Sequence, residues 1–408
     1  MSRYRHRTLE GPIVEISTQF PALLLTGPRQ VGKTTLLRRV GGKDRRYVSL
    51  DDPTLRELAV ADPKLFLDRF PAPLLIDEIQ YAPGLLPYLK LRIDTQREPG
   101  AFWLTGSQQF HMMKGVTETL VGRVAVINLL GFSQRERLGQ RWDSEPFLPD
   151  ATVLKRRGVV SIKGEKALYQ EIWTGGFPAL VTDDAPDRDV FFSSYLQTYL
   201  QRDVRDLAQV GSIEAFTRFV RACAARTAQL LNLSDLARDV DISVPTAKSW
   251  LSVLVASCQV FLLQPYHTSV TKRLVKTPKL YFLDTGLCAY LTSWASPTTL
   301  AAGAMRGAIF ETHVVAEILK SWWHQARQPQ LYFYRDRDGR EIDLLFEADG
   351  KLWPVEIKHA ATVRREWATP FTGLERLKKP IGTGAVVCLT ADDVPVAQGL
   401  TALPVGTL

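Results

Sequence analysis

Two constellations of residues in this sequence have the types and spacing to do chemistry. The first is Gly27-Pro28-Arg29-Gln30-Val31-Gly32-Lys33-Thr34-Thr35. Glycines at this spacing let backbone N–H groups turn inward around a triphosphate. A lysine here reaches the β and γ oxygens, and the next hydroxyl can ligate Mg²⁺. Residues 27–35 are therefore expected to bind ATP, with Lys33 also catalytic and Thr34 on the metal. Pro73-Leu74-Leu75-Ile76-Asp77-Glu78 adds two acids at the end of an apolar run. Asp77 is expected in the Mg²⁺ shell, and Glu78 is expected to orient or deprotonate the water that attacks the γ-phosphate. The second constellation is EIDLLFEADGKLWPVEIK, residues 341–358. It reads as a hairpin with Asp343 on one arm and Glu356-x-Lys358 on the other.

The elements that must position these residues follow from hydropathy. Ala22–Leu25 is a short continuous apolar run, as expected of a strand buried on both faces, and the TLLRRV after the glycines reads as a helix. Further β-rich runs are YVSLD (47–51), AFWLTGS (101–107) and RVAVINLL (123–130), separated by helix-length stretches. Acids that end a buried parallel strand emerge at its C-terminal edge, where open α/β sheets bind their ligands.

With 408 residues, two or three domains are expected. A composition of 45% hydrophobic and 23% charged residues is that of a soluble globular protein. No apolar run approaches the roughly 20 residues of a membrane span, so no membrane partner is expected. The basic start MSRYRHRTLEGP lacks the apolar stretch of a secretory signal. Cys223, Cys258, Cys288 and Cys388 are scattered, with no C-x-x-C pair, which points to reduced thiols in a cytoplasm. The net charge of +8 favours a polyanionic partner, although many basic proteins bind no nucleic acid.

The middle of the chain reads differently. Residues 131–190 are expected to form a lid or connector with a turn at Gly175–Pro178. Residues 191–208 carry a helical pattern whose Tyr195, Tyr199 and Leu200 belong to the core. Residues 231–266 predict a helix capped by Ser234 and ending at Val240, a short turn, and a second helix capped by Ser243 and running to about Ala256. Two β-rich runs follow, at 259–266 and 279–284, with Lys272, Arg273 and Lys276 between them. This is a winged helix-turn-helix pattern. Thr246, Lys248 and Ser249 on the second helix, with Lys272 and Arg273 on the wing, are the candidate DNA contacts. The second helix has one lysine and no Arg, Asn or Gln in its first turns, so any DNA contact should be to the backbone. A winged helix that binds protein is the alternative.

The C-terminal part begins with a helix, GAIFETHVVAEILKSWWHQ (307–325), carrying Glu311 near its start. Asp349-Gly350 predicts a tight hairpin turn. On the second arm Val355 and Ile357 face one way and Glu356 and Lys358 the other, with Asp343 opposite them. Helix acid, strand acid and acid-x-lysine in this order resemble the PD-(D/E)xK nuclease fold. The resemblance implies that Asp343 and Glu356 hold Mg²⁺ or Mn²⁺ with Glu311 as helper, and that Lys358 prepares the attacking water. The same pattern arises on any amphipathic hairpin with a charged face, and such folds also persist as binding modules. His359 reads as a surface residue.

The five N-terminal strands resemble the AAA-type ATPases. That resemblance implies that Ser107, at the tip of the fourth strand, senses the γ-phosphate. It also implies that Arg123, after Gly122, reaches a neighbouring subunit's nucleotide, which requires a homo-oligomer; a plain sheet-edge arginine is the other reading. The full order, including GPRQVGKTT, LLIDEIQ, LTGSQ, YLQRDV, PKLYFLDTGL and REIDLLF…PVEIK, resembles a large prokaryotic family. Its members pair an AAA-type ATPase with a C-terminal domain of unknown function. The expected fold is α/β. It comprises a P-loop AAA-type ATPase domain (1–135), lid or connector helices (136–208), a winged helix-turn-helix domain (209–298) and an α/β restriction-endonuclease-like domain (299–408).

Two functions stand side by side. One is an ATP-hydrolysing enzyme that acts on DNA, with a metal-dependent nuclease end. The other is an ATP-switched regulatory or scaffold protein whose nuclease-like domain is non-catalytic. A small-molecule kinase fits less well, because no substrate-binding constellation is visible.

Overall fold

In the computed structural model, residues 4–106, 119–139, 145–162, 164–199, 212–267, 277–336 and 339–408 are described. The expected N-terminal strands form as β1 (Ala22–Thr26), β2 (Arg46–Ser49), β3 (Leu74–Asp77), β4 (Phe102–Thr105) and β5 (Val124–Asn128). They make one parallel sheet in the order β2-β3-β4-β1-β5. β1, β3 and β4 are buried at every position, which is why they read as unbroken apolar runs. Period-2 alternation divides their side chains between the two faces. Leu23, Leu25 and Leu75 join the large core on one face; Leu24, Leu74 and Ile76 join a smaller one built with the helix Leu85–Gln96.

A helix at Ile213–Ala224 precedes the two expected helices, Leu233–Val240 and Val244–Ala256. Leu236, Ala237, Val240, Ala247, Trp250, Leu251 and Leu254 are all buried, so the helices pack on the faces that their periodicity marks. Asn232, not Ser234, caps the first of them: its side-chain oxygen accepts from the N–H groups of Ser234 (3.1 Å) and Asp235 (3.2 Å). Both are good caps by residue type, and the helix uses the one that lets it start earlier. Ser243 caps the second helix as expected. Tyr195 is buried in the Arg188–Tyr199 helix, whereas the side chain of Tyr199 and residue Leu200 lie outside the described residues.

The remaining strands are β6 (Gln229–Leu230), β7 (Val260–Pro265), β8 (Lys279–Phe282), β9 (Leu331–Arg335), β10 (Glu341–Ala348), β11 (Lys351–Ile357), β12 (Gly384–Cys388), β13 (Val394–Ala397) and β14 (Leu400–Pro404). They form a single nine-stranded sheet in the order β13-β14-β12-β11-β10-β9-β7-β8-β6. The expected boundary at 298–299 thus falls between strands of one sheet. Strand β7 pairs in parallel with β9 through Gln264–Tyr332 and Pro265–Phe333. Asp349 (φ 51°) and Gly350 (φ 73°) make the expected two-residue turn between β10 and β11. The helix Arg306–Trp323 lies against this sheet with Ile309, Phe310, Val314, Val315, Ile318 and Leu319 fully buried. One core runs from Leu23 through Leu254 and Phe310 to Leu408. None of the described helices is long and apolar enough to cross a membrane.

Candidate functional site

The phosphate loop connects β1 to the helix Lys33–Gly41. Gly27 has φ 139°, and a Cβ on it would lie 2.0 Å from the Leu129 carbonyl oxygen, so only glycine fits there. Gly32, at φ 91°, caps the helix from the left-handed region. Pro28 and Val31 are buried, Arg29 is half-buried, and Gln30 and Thr35 are exposed. Lys33 is buried, and its ammonium donates to the carbonyls of Gly27 (2.9 Å) and Pro28 (2.7 Å). Burial pulls the Lys33 pKa down to about 8, against the opposing pull of Glu78.

Asp77 and Glu78 emerge at the same sheet edge. Asp77 Oδ1 accepts from the Thr34 hydroxyl at 2.8 Å and also from Thr105 Oγ1; its Oδ2 accepts from Tyr47 at 3.0 Å. A hydroxyl and a carboxylate side by side are the oxygen donors that a hard cation such as Mg²⁺ takes. Glu78 has φ 56°, donates its backbone N–H to Thr105 Oγ1 at 3.1 Å and accepts from the Gln80 amide. A cleft of about 510 Å³ adjoins Thr34 and Thr35 and is lined also by Tyr4, Arg38, Arg39 and Tyr47.

Sequence reasoning did not anticipate a buried network behind the loop. The Arg7 guanidinium donates to the carbonyls of Val31 (3.0 Å), Leu130 (2.7 Å) and Gly131 (3.3 Å) and lies 3.2 Å from Glu136. Glu136 also accepts from the N–H groups of Thr8 and Ser133. Despite the burial that opposes it, Arg7, His324 and these N–H groups hold the Glu136 carboxyl well below the usual range. His324 follows the helix Arg306–Trp323, and its Nε2 accepts from the Leu130 N–H at 3.2 Å. Phe177, Cys258, Gln259 and Asp284 line a small cavity together with Pro28 and Val31. The network's members come from distant parts of the chain, and no local pattern marks them.

The second constellation also converges. Asp343 sits at a β-bulge, where the β9–β10 register shifts between Ile342 and Leu345. Its Oδ2 accepts from the Ile357 N–H (2.9 Å), and its own N–H donates to Glu356 Oε2 (3.4 Å). Glu356 Oε1 accepts from Lys358 at 2.5 Å. Glu311 accepts from the Tyr281 hydroxyl at 2.6 Å. Lys279 on β8 was not foreseen: its ammonium lies 2.5 Å from Glu341, 3.3 Å from Glu311 and 3.6 Å from Asp343. Burial, then the charge of Asp343, pushes Glu356 up to about 8 and Glu311 up to about 7. Among the described residues no three His, Cys, Asp or Glu side chains are grouped so as to hold a metal ion. His359 is mostly covered: it stands 3.2 Å from Glu165 and edge-on to Tyr169 and Phe310.

The other candidates lie apart. Arg123 is at the N-terminal edge of the sheet, opposite the phosphate loop, where it pairs with Asp94 at 2.5 Å. Lys248 and Ser249 are exposed on the second helix, and Thr246 is half-exposed with its hydroxyl 2.7 Å from Ser243. Ser107, Lys272 and Arg273 lie outside the described residues.

A family described as an AAA domain matches residues 19–138. Two domains of unknown function, DUF8612 and DUF4143, match residues 165–298 and 306–408. Uncharacterized proteins of Mycobacterium tuberculosis and Mycobacterium bovis are each 29% identical over 347 residues, covering 84% of this chain and 71% of theirs. Among solved structures, the Walker-type ATPase of Pyrococcus abyssi aligns at 15% identity with a TM-score of 0.44, covering 71% of this chain and 98% of that one. The RuvB Holliday junction branch migration motor of Thermotoga maritima aligns at 16% with a TM-score of 0.29, covering 62% and 86%. Residues 19–138 of this chain form an AAA-type P-loop domain.

Proposed function

We propose that this protein binds and hydrolyses ATP at the C-terminal edge of its five-stranded sheet and uses the turnover to shift units that act on DNA. The observation that carries the ATPase reading is the meeting of Lys33, Thr34, Asp77 and Glu78 at one edge. Incoming phosphate oxygens would replace the Gly27 and Pro28 carbonyls as partners of the Lys33 ammonium. The backbone N–H groups at the start of the Lys33–Gly41 helix would face the same phosphates. Mg²⁺ held by Thr34 and Asp77 would offset charge on the β and γ oxygens. Glu78, steadied by Gln80, would orient the attacking water. The neighbouring cleft of about 510 Å³ has room for the nucleoside. Acting in trans, Arg123 would have to exchange Asp94 for a neighbour's nucleotide, so specific ATPase activity should rise with protein concentration.

DNA as the object of this turnover is supported by the net charge of +8 and by the exposed Lys248 and Ser249 of the second helix. The second reading is an ATP-switched regulatory or scaffold protein. It is favoured by what surrounds the loop: Arg7 donates to Val31, and Phe177, Cys258 and Asp284 line a cavity with Pro28 and Val31, so nucleotide binding has a route to the units they come from. ATP turnover measured with and without DNA, in a salt series, separates the two. Turnover that DNA stimulates at low salt supports the first reading, and turnover indifferent to DNA supports the second. No turnover in either condition, with Lys33→Ala binding labelled ATP as the parent does, removes both.

A further inference from the structure

We infer that Lys279 is the resident cation of the C-terminal acid cluster, and that the cluster as folded takes no divalent metal and cuts no phosphodiester. The Lys279 ammonium lies between carboxylates from two elements: Glu311 on the helix Arg306–Trp323, and Glu341 and Asp343 on β10. Its side chain is only 6% exposed, so the charge cannot swing into water while β8 stays paired. A divalent cation needs several oxygens at about 2.0–2.6 Å. Asp343, Glu356 and Glu311 are the side chains it would draw on; the Lys279 ammonium already stands within 3.6 Å of Asp343 and Glu311, and Lys358 holds Glu356.

The other donors are also engaged. Tyr281 donates to Glu311, Lys358 donates to Glu356, and the Ile357 N–H donates to Asp343. The bulge aims Asp343 at both Lys279 and the β11 backbone. Four carboxylates face two ammonium groups and, at Glu341, the Arg335 guanidinium 3.9 Å away. The ion pairs also fasten β8 to the C-terminal unit, next to the β7–β9 pairing. The divalent-cation site expected at Asp343, Glu356 and Glu311 does not fit this arrangement.

The test uses the full chain without nucleotide and Mn²⁺ as the probe. Bound metal is read from the electron paramagnetic resonance signal of free Mn²⁺, and stability from thermal melts. The parent should bind no more Mn²⁺ than its Asp343→Asn variant. Lys279→Met should gain one site at least about tenfold tighter than any in the parent, with Mn²⁺ raising its Tm. Adding Asp343→Asn to Lys279→Met should abolish that gain, and Lys279→Arg, which keeps the charge, should stay silent. Parent binding that depends on Asp343, or a folded Lys279→Met that gains nothing, overturns the inference. So does Mn²⁺-dependent cleavage of plasmid DNA by the parent that Asp343→Ala abolishes. Should Lys279→Met fail to melt cooperatively, the parent against Asp343→Asn still decides.

Discussion

The phosphate loop and the C-terminal acid cluster are built from the same residue types, a buried lysine beside carboxylates at strand ends, yet they are set for opposite tasks. In the loop, the lysine rests on two backbone carbonyls and the nearby Asp77 is held by hydroxyls of Thr34, Thr105 and Tyr47. Neither charge neutralises the other at contact distance, so an anion can still claim the one and a cation the other. In the cluster, Lys279 is shared by three carboxylates and Lys358 is given to a fourth. The difference teaches that chemical capacity depends on which charges are already paired, and residue type and spacing do not report that.

This contrast can be broken by substitution. The largest effect should come from Lys279→Met, which takes from Glu311, Glu341 and Asp343 the buried cation that they share. Breaking a buried ion pair on one side costs about 3–5 kcal/mol, and denaturant titration should show a loss of that order. A loss near zero would mean that the cluster does not need its lysine. Lys33→Met should do the reverse. ATP turnover should fall about a hundredfold, as on removal of one donor to a developing charge. Stability should change by less than about 1 kcal/mol, because the replacement has similar volume and only carbonyls lose a partner.

A pH series sharpens the comparison. The pKa of Glu356 is raised in the fold, so the folded state holds a proton that the unfolded state releases. Its contribution is fully present below the unfolded value and is lost as pH rises through about 8. His313, pulled down to about 4 by burial, destabilises the fold only as pH falls below 6.5. Between pH 6.5 and 8, therefore, Tm should decline, and Glu356→Gln should flatten that decline. The smallest effect should be that of Tyr47→Phe, which removes one hydrogen bond to Asp77. It should cost about 1 kcal/mol, or roughly fivefold in ATP turnover.

What was legible in the sequence was local. A phosphate loop must be contiguous, so its glycines, lysine and threonine declare themselves within nine residues. The parallel strands are legible because burial on both faces forces apolar runs, and the 349–350 turn because an Asp-Gly pair suits two positive φ angles. Lys279 was not legible, since it opens an ordinary β-rich run and meets its acids only after folding. Arg7, Glu136 and His324 likewise come together from both ends of the chain. The β7–β9 pairing escaped for the same reason, because strand partners are chosen by tertiary packing. Asn232 displaced Ser234 as a cap because propensity ranks the two residues nearly alike.

The nine-stranded sheet has a practical consequence for anyone who would dissect this protein. An excised fragment beginning near residue 299 would start without β7 and β8, baring the β9 edge to aggregation. It would also leave Lys279 behind, so its carboxylates would meet solvent metal without their native competitor. Metal uptake or DNA nicking by such a truncation would describe the fragment and not the cluster that β8 completes.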